Sequence, residues 1–169
     1  FLRPLVSIRM EAIGGQGANS AGKILAEAAV LKMRYTGNHF SSFGSEKRGT
    51  PVRSFVRYST TGRPIRSASF VKEPDLLVIF HENLIQSHPE ILDGLHPHSV
   101  VIVNTQRTIE QIHLSANVQI RTLVTLDATR IARKNNCGLN AVMLGAMTVF
   151  LPEIKSVSLQ ETLEKFFSS

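Results

Sequence analysis

Ile13-Gly14-Gly15-Gln16-Gly17-Ala18-Asn19-Ser20-Ala21-Gly22-Lys23 is the stretch on which the reading of the whole chain turns. Before it, Leu5 to Ile13 is an apolar run in which Val6, Ile8 and Met10 alternate with Ser7, Arg9 and Glu11, the period of a strand. After it, Ile24, Leu25, Ala28 and Leu31 fall on one face at helical spacing, which predicts a helix over Ala18 to Lys32 closed by Gly37 and Asn38. A strand, a tight turn and a helix in that order leave the first helical N–H groups unpaired, and glycine permits positive φ and close approach to the backbone. A phosphate or another anion suits such a turn.

Two well-known glycine-loop chemistries fail on single residues. A dinucleotide site needs a small residue where Ser20 stands and an acidic residue about 20 positions on, yet no Asp or Glu occurs between Glu27 and Glu46. Gly17 to Lys23 nearly completes a P-loop. However, Ile24 stands where a hydroxyl should hold Mg²⁺, and His81 follows the apolar run ending at Phe80 where an Asp is needed. Nothing resembles a G-x-S-x-G elbow, and the carboxylates are scattered rather than paired. By its own residues this is a binding domain or a subunit without its own catalytic groups, and no catalytic residue is assigned.

Outward from the turn, His39 to Phe43 predicts a short strand that runs into Gly44-Ser45-Glu46-Lys47-Arg48-Gly49-Thr50-Pro51, a charged loop fixed by two glycines and a proline. Val52 to Ser59 and Pro64 to Phe70 read as a hairpin turning at Thr60-Thr61-Gly62-Arg63. Asp75 to Phe80 and Ser99 to Val103 are short continuous apolar runs, as in strands buried on both faces, with a helix over Glu82 to Leu92 between them. Val118 to Leu126 reads as another strand. Asp127 is an N-cap, Asn135-Asn136-Cys137-Gly138 a break, and Asn140 to Leu151 an apolar helix ended by Pro152. A last helix starts at Ser158, with Glu161 completing a capping box in form. Strands alternating with helices predict an α/β fold, a three-layer α/β/α domain with a largely parallel or mixed central sheet, and residues 1–169 form one domain.

Of the 169 residues 43% are hydrophobic and 19% charged, which is ordinary globular composition. The longest apolar runs are too short for a membrane span, and Phe1-Leu2-Arg3-Pro4 lacks the apolar core of a signal peptide, so a soluble, cytoplasmic protein is expected. The missing initiator methionine suggests a trimmed start or a piece of a longer chain. Cys137 is the only cysteine, so the chain cannot ligate an iron–sulfur cluster, and any electron carriers lie elsewhere. His96-Pro97-His98 reads as a solvated loop; no metal site is assigned. The net charge is +6, and Lys47, Arg48, Arg53, Arg57, Arg63, Arg66 and Lys72 follow one another with no Asp or Glu among them. That stretch is either a solvated basic face or a surface for phosphates or an acidic partner subunit. With two tyrosines, no tryptophan and no stacking motif, nucleic acid is not the expected partner.

Gly14-Gly-Gln-Gly-Ala-Asn-Ser-Ala-Gly-Lys-Ile-Leu-Ala-Glu-Ala-Ala, Ser42-Phe-Gly-Ser-Glu-Lys-Arg-Gly-Thr-Pro-Val, Glu73-Pro-Asp-Leu-Leu-Val, Leu126-Asp-Ala-Thr-Arg-Ile-Ala and Val142-Met-Leu-Gly-Ala together resemble the gamma subunit, or the equivalent fused domain, of 2-oxoacid:ferredoxin oxidoreductases. The resemblance covers nearly the whole chain, with Phe43 and Gly49-Thr50-Pro51 closer to the pyruvate synthase type; Asn19-Ser20 departs from the family pattern, and members usually continue a little past the last helix. It implies a multi-subunit enzyme that decarboxylates a 2-oxoacid, reduces ferredoxin and forms acyl-coenzyme A. Thiamine diphosphate and iron–sulfur clusters are then held by partner subunits of alpha, beta and delta type, and none by this chain. The gamma module is expected to pack on the catalytic subunits and to contact coenzyme A as a substrate. On that resemblance the backbone amides of Gly14, Gly15, Gln16 and Gly17 are candidate anion contacts, and Lys47 and Arg48 candidate phosphate partners. Two alternatives stay open: Glu46 holding Arg48 in a structural ion pair, and the same module in an enzyme acting on oxalate. A free-standing nucleotide- or anion-binding domain is the reading from a different class.

Overall fold

The computed structural model describes residues 3–44, 50–66 and 68–168. Its centre is a six-stranded mixed sheet in the order β2-β3-β1-β4-β5-β6. The strands are β1 (Leu5–Ile13), β2 (Thr36–Phe43), β3 (Pro51–Ser59), β4 (Leu76–Ile79), β5 (Val100–Asn104) and β6 (Thr122–Leu126). β1 runs parallel to β4, β5 and β6, and β3 lies antiparallel between β1 and β2. The helices are α1 (Ala18–Glu27), α2 (Leu84–Ser87), α3 (Ala128–Lys134), α4 (Leu139–Thr148) and α5 (Ser156–Phe167).

The alternation in β1 sorts residues between two cores, as its period requires. Val6, Ile8, Met10 and Ala12 join Ala21, Ile24, Leu25, Met143, Leu144, Met147 and Leu159 in the larger core, beneath α1, α4 and α5. The fully buried Ile24 and Leu25 contribute about 1.5–3 kcal/mol each to that contact. Leu77, Ile79, Val101 and Val103 face the other way onto Leu84, Ile85, Ile91 and Leu92. Helical cover on this second side thus comes from α2 and the 3-10 turn Pro89–Leu92, over β4 and β5.

Several expectations are corrected by pairing and packing. The helix over Ala18 to Lys32 forms, but Ala28–Lys32 is a π-helical turn, which shifts later residues around the axis and leaves Leu31 65% exposed. It closes at Arg34, whose φ of 56° and the Tyr35 N–H bond to Ala29 O make a Schellman-type end, so Gly37 and Asn38 belong to β2. Pro64 to Phe70 is not a strand, because β3 already has β1 on one side and β2 on the other. The hairpin is β2–β3, and Gly44 to Thr50 is its connection. Pro89 splits the helix over Glu82 to Leu92, and only Thr122–Leu126 of the last strand finds a partner in β5. Ser158 lies inside α5, whose N-cap is Lys155 without a side-chain bond. Asp127 caps α3 as expected, its Oδ1 accepting from Arg130 N–H at 2.9 Å.

Candidate functional site

At the C-terminal end of β1 the chain turns through two glycines of positive φ, Gly15 at 92° and Gly17 at 86°. Gly15 is required by conformation alone, since a Cβ there would meet nothing within 4 Å. Gly17 is required twice, because a Cβ would also stand 3.0 Å from the Cβ of Asn140 on α4. Gly22 has a third role. Its Cβ would fall 2.1 Å from Ser54 Oγ and 2.8 Å from the His39 ring, so glycine lets α1 lie on the sheet.

The four expected contacts at the turn divide by what their N–H groups already do. Gly14 N–H donates to Thr50 O at 3.0 Å and Gln16 N–H to Ile13 O at 3.1 Å. Those two amides therefore hold the turn together. Gly15 and Gly17, with Ala18, Asn19 and Ser20 of the first helical turn, have no acceptor for their N–H among the described residues. They border a cavity of about 390 Å³, walled on the other side by Phe43, Thr50 and Val52. The first turn of α1 carries no acidic residue. Its positive end thus faces the cavity unopposed. The Gln16 side chain is structural too: its Oε1 accepts from Ile13 N–H at 2.8 Å and its Nε2 reaches Phe80 O at 3.5 Å, across the ends of β1 and β4. Lys47 and Arg48, with Glu46, lie outside the described residues, two to four positions before Thr50 in sequence.

Lys23 is not at the turn: its Nζ stands 5.7 Å from the centroid of the Phe166 ring on α5. The P-loop likeness therefore fails in space as well as in sequence. A polar relay that the sequence did not reveal supports the cavity from behind. Asn19 Oδ1 accepts from Ser41 Oγ at 2.7 Å, and His39 Nε2 lies 3.1 Å from Ser41 Oγ and 3.0 Å from Ser54 Oγ. Burial first, then the charge of Lys23, holds His39 below the ordinary histidine range, which keeps the ring neutral. The only sequence sign of this relay was the alternation of polar residues along β2.

A larger cavity of about 680 Å³ opens where β5 and β6 end, lined by Thr105, Arg107, Thr108, Asp127 and Arg130 among others. Its polar groups are largely committed to the fold. Thr105 Oγ1 donates to Glu82, Arg107 Nε stands 3.5 Å from the same carboxylate, and Asp127 caps α3. Asn104 rivets this edge, donating to Phe80 O at 3.0 Å and accepting from Ala128 N–H at 2.9 Å.

The acid-free basic stretch also divides. Arg53 Nε lies 3.1 Å from the buried Glu11 and its Nη2 3.4 Å from Glu90, while Arg57 donates to Ser69 O and Phe70 O at 2.7 and 2.8 Å. Burial raises the Glu11 carboxyl to about 7, against the pull of Arg53 and Arg9. Among the described residues no group of three His, Cys, Asp or Glu could hold a metal ion, and no helix is long and apolar enough to cross a membrane. Cys137 is exposed at the break before α4.

Residues 7–169 match the protein family described as pyruvate ferredoxin/flavodoxin oxidoreductase. The chain is 35% identical over 167 residues to the common gamma subunit of pyruvate/ketoisovalerate oxidoreductases from Pyrococcus furiosus, covering 97% of this chain and 88% of that one. It is 33% identical over 162 residues to pyruvate synthase subunit PorC of Thermotoga maritima, covering 95% and 81%. Among solved structures, pyruvate oxidoreductase subunit PORC from Thermotoga maritima superposes with a TM-score of 0.79 at 28% identity, over 97% of this chain and 86% of that one. A 2-oxoglutarate:ferredoxin oxidoreductase from Magnetococcus marinus, solved with 2-oxoglutarate, coenzyme A and succinyl-CoA bound, shares the fold with a TM-score of 0.74 at 16% identity; the match spans 98% of this chain and 27% of that much longer one.

Proposed function

Because this chain belongs to the pyruvate ferredoxin/flavodoxin oxidoreductase family, as a gamma subunit of a 2-oxoacid:ferredoxin oxidoreductase of the pyruvate synthase type, we propose that it packs on the catalytic subunits and presents its glycine turn to a phosphate of coenzyme A. The observation that carries this reading is the row of N–H groups without an acceptor, from Gly15 and Gly17 to Ser20, at the 390 Å³ cavity. Fixed N–H donors at a helix start suit a phosphate. Lys47 and Arg48 supply the cationic partners in this proposal, with Arg48 able to make a bidentate contact.

Thiamine diphosphate and iron–sulfur clusters belong to the partner subunits of alpha, beta and delta type, and ferredoxin takes the electrons from the assembly. One cysteine cannot ligate a cluster. The chemistry those groups supply is oxidative decarboxylation of the oxoacid; the task of this chain is to hold the acyl acceptor.

The test is made in the assembled enzyme with Gly15→Ala, which strains a φ of 92° without filling occupied space. Losing one charge-assisted hydrogen bond corresponds to about 1.5–3 kcal/mol, or roughly a 10- to 150-fold rise in KM for coenzyme A. The KM for the oxoacid should move by less than about twofold. Lys47→Ala and Arg48→Ala should give the same split. Unchanged coenzyme A kinetics in all three variants would remove the turn and its loop from the substrate site. Isolation of the natural protein without larger partners would remove the subunit role altogether.

A further inference from the structure

The segment between β3 and β4 is a second feature that the fold does not use up. By composition Pro64 to Phe70 is strand-forming, yet β3, the strand it would pair with as a hairpin, already has β1 on one edge and β2 on the other. Its described residues, 64–66 and 68–70, form instead an extended strap over the β2–β3 end of the face on which α2 and the Pro89–Leu92 turn cover β4 and β5, and Arg9 donates to both Val71 O and Ile91 O there. Its fastenings are backbone carbonyls. Thr36 Oγ1 donates to Arg63 O at 2.5 Å, Arg57 to Ser69 O and Phe70 O, and the Arg9 Nη1 to Val71 O at 3.1 Å. With its main chain tied down in this way, the strap turns its side chains outward. Arg63, Arg66, Phe70 and Lys72 are exposed, and none of the three cations has an ion pair among the described residues.

Phe70 is the large apolar side chain that this segment exposes. It packs edge-on against Phe40 at 5.6 Å and Phe55 at 5.2 Å, so its root is fixed, while 52% of it remains exposed. An aromatic side chain anchored at its root, on a segment that also exposes Arg63, Arg66 and Lys72, is the composition of an interface rather than of free surface. Exposed Arg63, Arg66 and Lys72, without an ion pair among the described residues, specify the occupant by charge. Like charge would be repelled and carboxylates attracted, with Arg able to take them bidentately.

We infer that this strap docks another subunit of the same oxidoreductase, through an apolar pocket that receives Phe70 and a rim of carboxylates that meets Arg63, Arg66 and Lys72. The inference rests on the gamma-subunit reading given above, and names the face by which the chain is held. It is independent of the glycine turn, which lies at the end of β1 among different residues.

The experiment follows retention of this chain in the assembled enzyme by size-exclusion chromatography over a dilution series, at low and at high salt. Phe70→Ala should weaken association about tenfold or more. The double variant Arg63→Glu and Arg66→Glu should do the same at low salt and show a reduced or inverted salt dependence, because both side chains are exposed and their reversal leaves the fold intact. The double variant Arg133→Glu and Lys134→Glu on α3, a control of equal charge change away from the strap, should leave retention unchanged. Retention of both strap variants within twofold of the wild-type chain overturns the inference while leaving the subunit assignment in place. Loss of self-association with the larger subunits still bound also overturns it, in favour of a second copy as occupant. A wild-type chain that binds no larger subunit overturns the assignment and this inference together.

Discussion

At the scale of single residues, glycines of the same chemistry do unlike jobs in this chain, and their environments decide the sign of a substitution. Gly15 and Gly17 are held at positive φ, whereas Gly22 sits in ordinary helix with Ser54 and His39 pressed against it. In an open helix, Gly→Ala stabilises by roughly 0.5–1 kcal/mol. Here the new methyl would overlap Ser54 Oγ, so Gly22→Ala is expected to destabilise by about 1–3 kcal/mol, read as a lower denaturant midpoint with an unchanged m-value. Glu11 gives a prediction in pH. Its side chain is 1% exposed, and burial lifts its carboxyl from 4.5 to about 7. The folded chain therefore keeps a proton that the unfolded chain has released, and stability falls as pH rises from about 4.5 towards 7, then levels. Glu11→Gln should flatten that slope in urea titrations run across the window; an equally steep slope in the variant would place the titration elsewhere. Glu153 is the opposite case. Burial alone would raise its carboxyl, but hydrogen bonds from Arg3, at 2.8 Å through Nε, outweigh it and hold the carboxyl below the usual range.

At the level of elements, an end was legible where one residue caps it, and strand partners were not. Asp127 stands before an apolar-periodic run and caps α3 through Arg130 N–H, so Asp127→Ala should cost about 1 kcal/mol in thermal or chemical unfolding. The same variant should leave KM for coenzyme A unchanged if capping is its only role. The break at Asn135 to Gly138 is equally local, with Asn136 at a φ of 50°. The supposed hairpin over Val52 to Phe70 was a different kind of reading, since alternation marks a strand but not the edge it joins. β3 accepted β1 and β2, and the second half was left as the strap. In the same way, the stripe from Ile24 to Leu31 predicted a helix face correctly until the π-turn at Ala28–Lys32 shifted its last member into solvent.

At the scale of the whole molecule, the chain shows surfaces that a single copy does not cover. α4 has no charged residue, yet Ala141, Val142, Ala146 and Thr148 are only half-buried and Val149 is exposed. A helix apolar all round normally has cover on every side. A solvent-protection experiment on the assembled enzyme should therefore show the amides of the strap, and the region around α4, slower to exchange than in the chain alone. Equal exchange in both states would mean that these faces remain in water. Neighbouring residues alone encode the strand into the glycine turn, the helix after it, the buried runs of β4 and β5, the cap at Asp127 and the family resemblance of five ordered motifs. Each of these depends on a period, a φ preference or a residue within a few positions. Folding sets which amides of the turn remain available, because Thr50 O and Ile13 O take those of Gly14 and Gln16. It also decided that Arg53 and Arg57 serve the fold while Arg63, Arg66 and Phe70 face outward. Those outcomes depend on groups far apart in sequence competing for the same donors, acceptors and strand edges, and local pattern carries no record of which of them wins.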